Sequence, residues 1–282
     1  MTTRRTIYGA VDHVAALLGC PVPDVYQSVT TLNTELGFEP DAKTATGEKR
    51  LLRGFVMGIG AHSYTTGVDD IPLPTTKSHT ARDAGLFRLI PLALREVGND
   101  LSDSMRRRYA GRKIINIRGT DYIAYYIHRM DATSATIVTD ERTIKDGRVT
   151  EQVAFTPTAS DRSPTPVDND PQVVNLLSGK VLSAYAPVVI SMDSASVAEL
   201  LNAAVVMYGS EDYAYVSEIG LVIGSDREVN SPNGAGTLLF NEIIAGNIFT
   251  HIPTMLNMRE RSSGMSLTYN IGAPEALYVR AA

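Results

Sequence analysis

The spacing of apolar residues changes near Lys113, and this change limits the possible folds more than any other feature of the sequence. Up to residue 112, apolar side chains recur at the three- and four-residue intervals of amphipathic helices, in residues 11–18, 25–36 and 86–97. Beyond it, segments such as IINIR and YIAYYIHRM are rich in Ile and Tyr with partial alternation, which is typical of strands. We therefore predict an α+β fold, with a helical N-terminal third followed by a mainly antiparallel β body that contains one or two inserted helices.

Local turn and capping signals add detail to this prediction. The tripeptide KDG at residues 145–147 lies between two strand-like segments and predicts a hairpin turn. Ser196 and Glu199 form a capping-box pattern, which predicts an inserted helix that ends before Gly209. The segment LSDSMRRRYAG, which ends at Gly111, predicts a further short helix.

Two stretches are too polar and too rich in turn residues to be regular elements. The first, residues 62–80, contains two prolines in a Thr-rich context, and the second, residues 156–171, contains four prolines. We expect a mainly helical N-terminal region over residues 1–112 with a long polar loop. A β-rich body over residues 113–282 is expected to carry an exposed Pro-rich excursion at residues 156–171.

Composition excludes several classes of protein. The chain has 282 residues, a net charge of −5 and a single Cys20, so it forms no internal disulfide and has no general attraction for DNA. Apolar runs such as residues 186–192 are far shorter than the roughly 18 residues that a membrane-spanning helix needs. Residues 1–8 lack the apolar core of a secretion signal. We expect a soluble globular protein that does not enter membranes.

The sequence contains no recognisable catalytic, cofactor-binding or metal-binding motif. Gly54, Gly58 and Gly60 lack the G-x-G-x-x-G spacing of a phosphate-binding turn, and there is no G-x-S-x-G or H-E-x-x-H pattern. We therefore predict no catalytic residue, no cofactor and no metal.

One cluster keeps an enzymatic alternative open. His62, Asp69, Asp70 and His79 share a single polar loop, and their side chains could converge on a divalent ion in a metal-dependent hydrolase. The spacing does not place two ligands on one face of a helix or strand, so ordinary hydrogen bonding is the favoured interpretation. Metal analysis of the purified protein separates the two possibilities.

The strongest charge feature is a basic cluster near the middle of the chain. Five cations fall within eight positions, and they are followed by Arg118: Arg106, Arg107, Arg108, Arg112 and Lys113. Such a cluster can bind acidic groups of a neighbouring protein, form ion pairs within the chain or contact phosphates. Only Tyr109 lies among these residues, whereas nucleic-acid readers add several aromatic side chains. The pattern therefore favours protein contacts or internal ion pairs over nucleic-acid binding.

Two segments resemble virion proteins of tailed bacteriophages. YVSEIGLVIG at 215–224 contains Glu218 to Leu221 and is followed by Phe249, Pro253 and a terminal strand-like segment at 267–271. This order resembles an element that recurs in phage tail and baseplate proteins. The segment from residue 59 to residue 113 is similar to virion structural proteins of large myoviruses.

The resemblance implies a non-enzymatic structural subunit of a tailed-phage virion, most similar to the wedge subunits of the baseplate. It implies assembly in the host cytoplasm, other virion proteins as partners and a homo-oligomeric place in a symmetric assembly. The helical N-terminal third has no counterpart there, so neck, collar and capsid-associated roles remain alternatives. Within this interpretation, we predict contacts through residues 62–80, residues 156–171 and the basic cluster, with Asp69, Asp70 and Glu218 as further contact candidates.

Overall fold

The computed structural model describes residues 4–18, 21–45, 47–132, 135–156, 179–230 and 239–277. Of these residues, 50% lie in strands and 21% in helical segments, and the strand pairs are antiparallel. The fold is therefore mostly antiparallel β with small helices. The predicted α+β fold with a helical N-terminal third is wrong.

The strands and helices have the following bounds. The strands are β1 (Arg4–Arg5), β2 (Leu51–Gly58), β3 (His62–Thr66), β4 (Pro72–Thr76), β5 (Ala93–Glu96), β6 (Tyr109–Ile117), β7 (Thr120–Arg129), β8 (Val138–Lys145), β9 (Arg148–Ala154), β10 (Gly179–Asp193), β11 (Tyr215–Asn230), β12 (Leu239–Asn257) and β13 (Gly264–Leu277). The α-helices are α1 (Ile7–Leu18), α2 (Val25–Ser28), α3 (Leu32–Leu36), α4 (Asp103–Arg106) and α5 (Ser194–Tyr208).

The N-terminal prediction fails because strand pairing overrides local helical spacing. Residues 86–97 contain β5, and Pro91 removes a backbone donor that a helix would need. Leu92 donates its backbone N–H to Tyr125, which fastens this segment beside β7. Similarly, the helix predicted over residues 101–111 is a single turn, α4, because β6 begins at Tyr109.

The described residues form two compact units. The first draws on Met1–Asp131 and Ser191–Ser266, and the second on Ala132–Ile190 and Leu267–Ala282. The first unit contains a seven-stranded sheet in the order β1-β12-β11-β2-β7-β5, with β6 paired to β7. Its core is an apolar cluster from α3, the sheet strands and the segment before β5: Leu32, Leu36, Val56, Leu86, Ala110, Ile127, Val222, Ile243 and Ile248.

The helix α5 confirms one prediction and refines its start. Asp193 caps its first turn by accepting a hydrogen bond of 2.9 Å from the backbone N–H of Ser196, so the cap lies three residues before the predicted one. The helix ends at Gly209, whose φ of 87° is the left-handed conformation that glycine adopts without a steric penalty.

The second unit contains a four-stranded sheet in the order β13-β10-β8-β9. The predicted turn at residues 145–147 is confirmed, because it joins β8 to β9 with positive φ at Asp146 and Gly147. The predicted excursion at 156–171 lies outside the described residues apart from Thr156, as does Cys20. Among the described helices, none has the length and apolar character needed to cross a bilayer.

Candidate functional site

The most elaborate polar cluster in the first unit is built around Glu218 of β11. β11 lies between β12 and β2 in the sheet, and Glu218 is only 1% exposed. The carboxylate accepts backbone hydrogen bonds from Gly60 at 3.2 Å, Phe87 at 3.1 Å and Arg88 at 3.2 Å. A single buried side chain therefore fastens two separate loops to the middle of the sheet.

His79 lies between two carboxylates within this cluster. Its Nε2 is 2.7 Å from an Oε of Glu218, and its Nδ1 is 3.0 Å from an Oδ of Asp83. Burial by itself lowers the pKa of His79, but the hydrogen bonds and charges of Glu218 and Asp83 outweigh burial and raise it. The arrangement favours the imidazolium form, in which both ring nitrogens donate.

The ring of His79 is stacked between two other rings. The centroid of the Phe87 ring lies 4.1 Å from that of His79. The centroid of the His251 ring, on β12, lies 3.8 Å from that of His79. The Nε2 of His251 donates to the carbonyl of Gly85 at 3.0 Å. Burial, followed by the charge of His79, lowers the pKa of His251 to about 4. A charged imidazolium thus packs against a neutral imidazole.

A small cavity of about 10 Å³ adjoins the cluster and is lined by Ala61, Lys77, Ser78, His79, Glu218, His251 and Pro253. In the imidazolium form, His79 has no free lone pair with which to accept a proton or hold a metal ion. No group of three His, Cys, Asp or Glu side chains that could hold a metal ion occurs among the residues that the structure describes. The geometry suits a cross-link between loops and the sheet.

The structure separates the four residues of the enzymatic alternative. His62 lies on β3, where its Nε2 is 2.8 Å from the carbonyl oxygen of Tyr215. Asp69 and Asp70 lie at the exposed tip between β3 and β4, with φ of 56° and 59°. His79 belongs to the Glu218 cluster. These residues therefore do not converge on one site.

The basic cluster is divided between the interior and the surface. Arg106 is buried with its guanidinium carbon 3.5 Å from the centroid of the Phe240 ring, and Arg112 is buried 3.6 Å from Asp100. Arg108 forms an ion pair with Asp193. Arg107 and Lys113 are exposed, so these two residues alone of the five project fully from the described surface.

The β3–β4 hairpin has the opposite character, since it presents large apolar side chains to solvent. The exposed fractions are 71% for Tyr64, 82% for Val68, 60% for Ile71 and 50% for Leu73. Ile71 and Leu73 share one face of the hairpin and Tyr64 lies on the other, so the hairpin exposes apolar side chains on both faces and ends in an acidic tip at Asp69 and Asp70. We call Tyr64, Val68, Ile71 and Leu73 the hairpin strip.

Sequence reasoning missed three features of these sites. It named Glu218 as a contact candidate, whereas the structure buries its side chain in the central strand β11. It did not single out Asp83, although a carboxylate four residues after His79 is a pairing signal when the segment turns back on itself. His251 joins the cluster because β12 pairs with β11 at Gly220, and nothing in local sequence indicates that register.

Comparison with known proteins gives one match. No curated protein and no solved structure matches the sequence. One family model, described as a family of unknown function, matches residues 1–282. The chain therefore belongs to this family of unknown function, DUF7208.

Proposed function

We propose that the protein is a non-enzymatic structural subunit of a tailed-bacteriophage virion, in the baseplate or tail, and that it acts through protein–protein interfaces. The observation that carries this proposal is the hairpin strip, whose four apolar side chains are all at least 50% exposed. Large apolar side chains exposed together on one hairpin mark interaction sites in folded proteins.

The physical reason is that a two-stranded sheet is marginally stable in water by itself. Full burial of a Val, Leu or Ile side chain contributes about 1.5–3 kcal/mol, so covering the exposed parts of Ile71 and Leu73 on one face contributes about 1.5–3 kcal/mol in all. A partner that covers the hairpin strip stabilises both the hairpin and the complex. The acidic tip at Asp69 and Asp70 adds charge selectivity to that contact.

The Glu218 cluster has a role within the chain. Its charged groups bond to loops of the same chain, so the cluster serves to hold residues 60 and 79–88 against the sheet. Glu218 to Leu221, on which the resemblance to tail and baseplate proteins rests, lie in a central strand, where they support the fold. The contact role therefore moves from Glu218 to the hairpin strip.

The test is an inventory of virion proteins. Particles of the phage whose genome encodes this chain should be purified, separated into heads and tails, and analysed by mass spectrometry. We expect the chain in the tail fraction at a fixed copy number. Presence in the head fraction would favour the neck, collar or capsid-associated alternative, and absence from particles would contradict the proposal.

A variant links the inventory to the hairpin strip. Val68→Ser combined with Ile71→Ser should leave the protein folded and remove it from particles, because both side chains lie outside the core. The matched control is Val97→Ser, since Val97 is 48% exposed at the end of β5 and away from the hairpin. Equal incorporation of the hairpin variant and the wild type would contradict the role of the strip.

A further inference from the structure

The two edges of the β3–β4 hairpin differ in their capacity to bind another strand. Gly67 donates to the carbonyl of Ile71 at 2.8 Å, and Lys77 donates to that of Ala61 at 2.6 Å. Hydrogen-bonded pairs alternate with non-hydrogen-bonded pairs along an antiparallel ladder. These two bonds show that Pro72 and Pro74 occupy non-hydrogen-bonded pairs, so their backbone nitrogens point outward. Proline has no N–H, and the outer edge of β4 is therefore closed to a further strand.

The outer edge of β3 is open by the same reasoning. Tyr64 and Thr66 alternate with the residues that bond to β4, so their backbone N–H and C=O groups point away from the hairpin. The sheet consists of β3 and β4, and no third strand from the described part of the chain pairs with β3. This edge can donate and accept the hydrogen bonds of an added strand.

The strand β9 is an edge of the sheet in the second unit. The backbone N–H of Phe155 donates to the carbonyl of Thr139 at 3.0 Å, so these two residues form a hydrogen-bonded pair. By alternation, Gln152 and Ala154 lie in non-hydrogen-bonded pairs, and their backbone groups point outward. The strand contains no proline, and its residues are exposed throughout. Within the described ranges, β9 pairs on one side alone, with β8.

The charges at the ends of these two edges are complementary. Asp69 and Asp70 follow the C-terminal end of β3, while Lys145 and Arg148 flank the turn before β9. Antiparallel pairing places the end of one strand beside the start of the other, so it brings the acidic tip to the basic turn. Asp146 lies in the same turn and reduces its net charge to +1.

We propose that β3 of one copy pairs antiparallel with β9 of a second copy, so that copies of this chain associate head to tail. The proposal rests on the proposed function and names the partner of the hairpin. Because the two edges are different, each contact leaves one β3 and one β9 free. Repetition of such a heterologous contact generates a ring or a filament, the kind of symmetric assembly that a tail contains.

The test uses two proline variants that copy the closed edge of β4. Thr66→Pro removes one outward N–H from β3, and Gln152→Pro removes one from β9, while backbone hydrogen bonds within each sheet are kept. The side-chain bond of Gln152 to Asp140 is lost in both Gln152 variants. The matched controls Thr66→Ala and Gln152→Ala retain the N–H. Molar mass should be measured by light scattering over a range of concentrations, with circular dichroism as the check on folding.

We expect the wild type and both alanine controls to gain mass with concentration, and each proline variant to remain monomeric. An equimolar mixture of the two proline variants should form a dimer that grows no further, because one intact β3 meets one intact β9. Self-association of a folded proline variant at the wild-type level, a monomeric mixture of folded variants, or a monomeric wild type would overturn the proposal.

A charge exchange tests the orientation. Asp69→Lys with Asp70→Lys should weaken association about tenfold, which corresponds to roughly 1.4 kcal/mol. Adding Lys145→Asp and Arg148→Asp to the same chain should restore it, and no restoration would contradict the antiparallel arrangement. If folded proline variants enter particles like the wild type, the proposed head-to-tail contact is contradicted while the virion function stands. Absence of the wild type from particles defeats the virion function itself.

Discussion

Residues 62–76 and residues 77–90 are neighbours in the sequence, yet they place their side chains in opposite ways. The first segment, the β3–β4 hairpin, exposes large apolar side chains such as Val68 and Ile71. The second, between β4 and β5, buries the charged His79 against Glu218. The comparison teaches that the polarity of a loop does not decide which of its residues face solvent.

The difference arises from what each segment can bond to within the chain. Residues 79–88 find a buried acceptor, Glu218, which satisfies backbone donors and an imidazolium at once. The hairpin satisfies its backbone along one internal ladder only, and Pro72 and Pro74 occupy its outer edge. The second segment is therefore completed by its own chain, whereas we propose that the first is completed by a neighbour.

The largest expected effect is the loss of the Glu218 carboxylate. Glu218→Ala leaves a buried imidazolium and three backbone donors without their acceptor, so we expect the free energy of unfolding to fall by about 3–5 kcal/mol. Urea denaturation measures this change in the free energy of unfolding. As the control in the hairpin, Asp70→Ala should change stability by no more than about 0.5 kcal/mol. Equal effects of the two variants would break the comparison.

Acidification should reveal the neutral, buried His251. Its pKa of about 4 lies below the usual value of 6.5, so the unfolded chain binds more protons between these pH values. Stability should therefore fall as the pH drops from 6.5 to 4, by about 3 kcal/mol. Thermal unfolding of the wild type and of His251→Gln should be measured across this pH window. The difference between their stabilities gives the contribution of His251. A pH-independent difference would contradict the assignment.

His79 should show the opposite sign. Because its pKa is raised in the folded protein, its contribution is complete below the unfolded value of about 6.5 and is lost as the pH rises through the folded pKa. The same pH series, extended upward and compared with His79→Gln, checks this prediction. A wild-type advantage that persists unchanged to high pH would show that the charged form is not favoured.

A smaller effect is expected from filling the space beside the carboxylate. A Cβ at Gly58 would lie 2.5 Å from an Oε of Glu218, so Gly58→Ala must displace the cluster and should cost about 1–3 kcal/mol. Gly246→Ala is the matched control, because its Cβ would meet no atom closer than 3.4 Å. Denaturant unfolding of both variants measures the difference, and equal costs would show that the cluster yields freely.

The smallest effect on stability is expected in the hairpin strip. Val68→Ser combined with Ile71→Ser removes exposed apolar surface, so stability should change by about 0.5 kcal/mol or less. Association, measured by light scattering, should weaken because the covered area is lost. A large loss of stability with unchanged association would show that the strip packs within its own chain.

Local signals predicted part of the fold. The turn at residues 145–147 and the end of α5 at Gly209 depend on nearby residues and were predictable. The helical pattern of residues 86–97 was misleading, because pairing with β7 decides the structure of that segment. The Glu218 cluster could not be predicted, since it requires β11 to lie between β12 and β2 and Gly220 to pair with His251. Long-range register leaves no mark in a short window of sequence.

The most direct test of the central claim is hydrogen exchange of the intact chain at low and at high protein concentration. The account predicts that the amides of Tyr64 and Thr66 exchange rapidly in the dilute protein and become protected as copies associate. The amides of Phe87 and Arg88, held by Glu218, should be protected equally at both concentrations. Protection of β3 that is already complete in the dilute monomer, or that never appears on association, would contradict the claim that the hairpin is completed by a neighbouring copy.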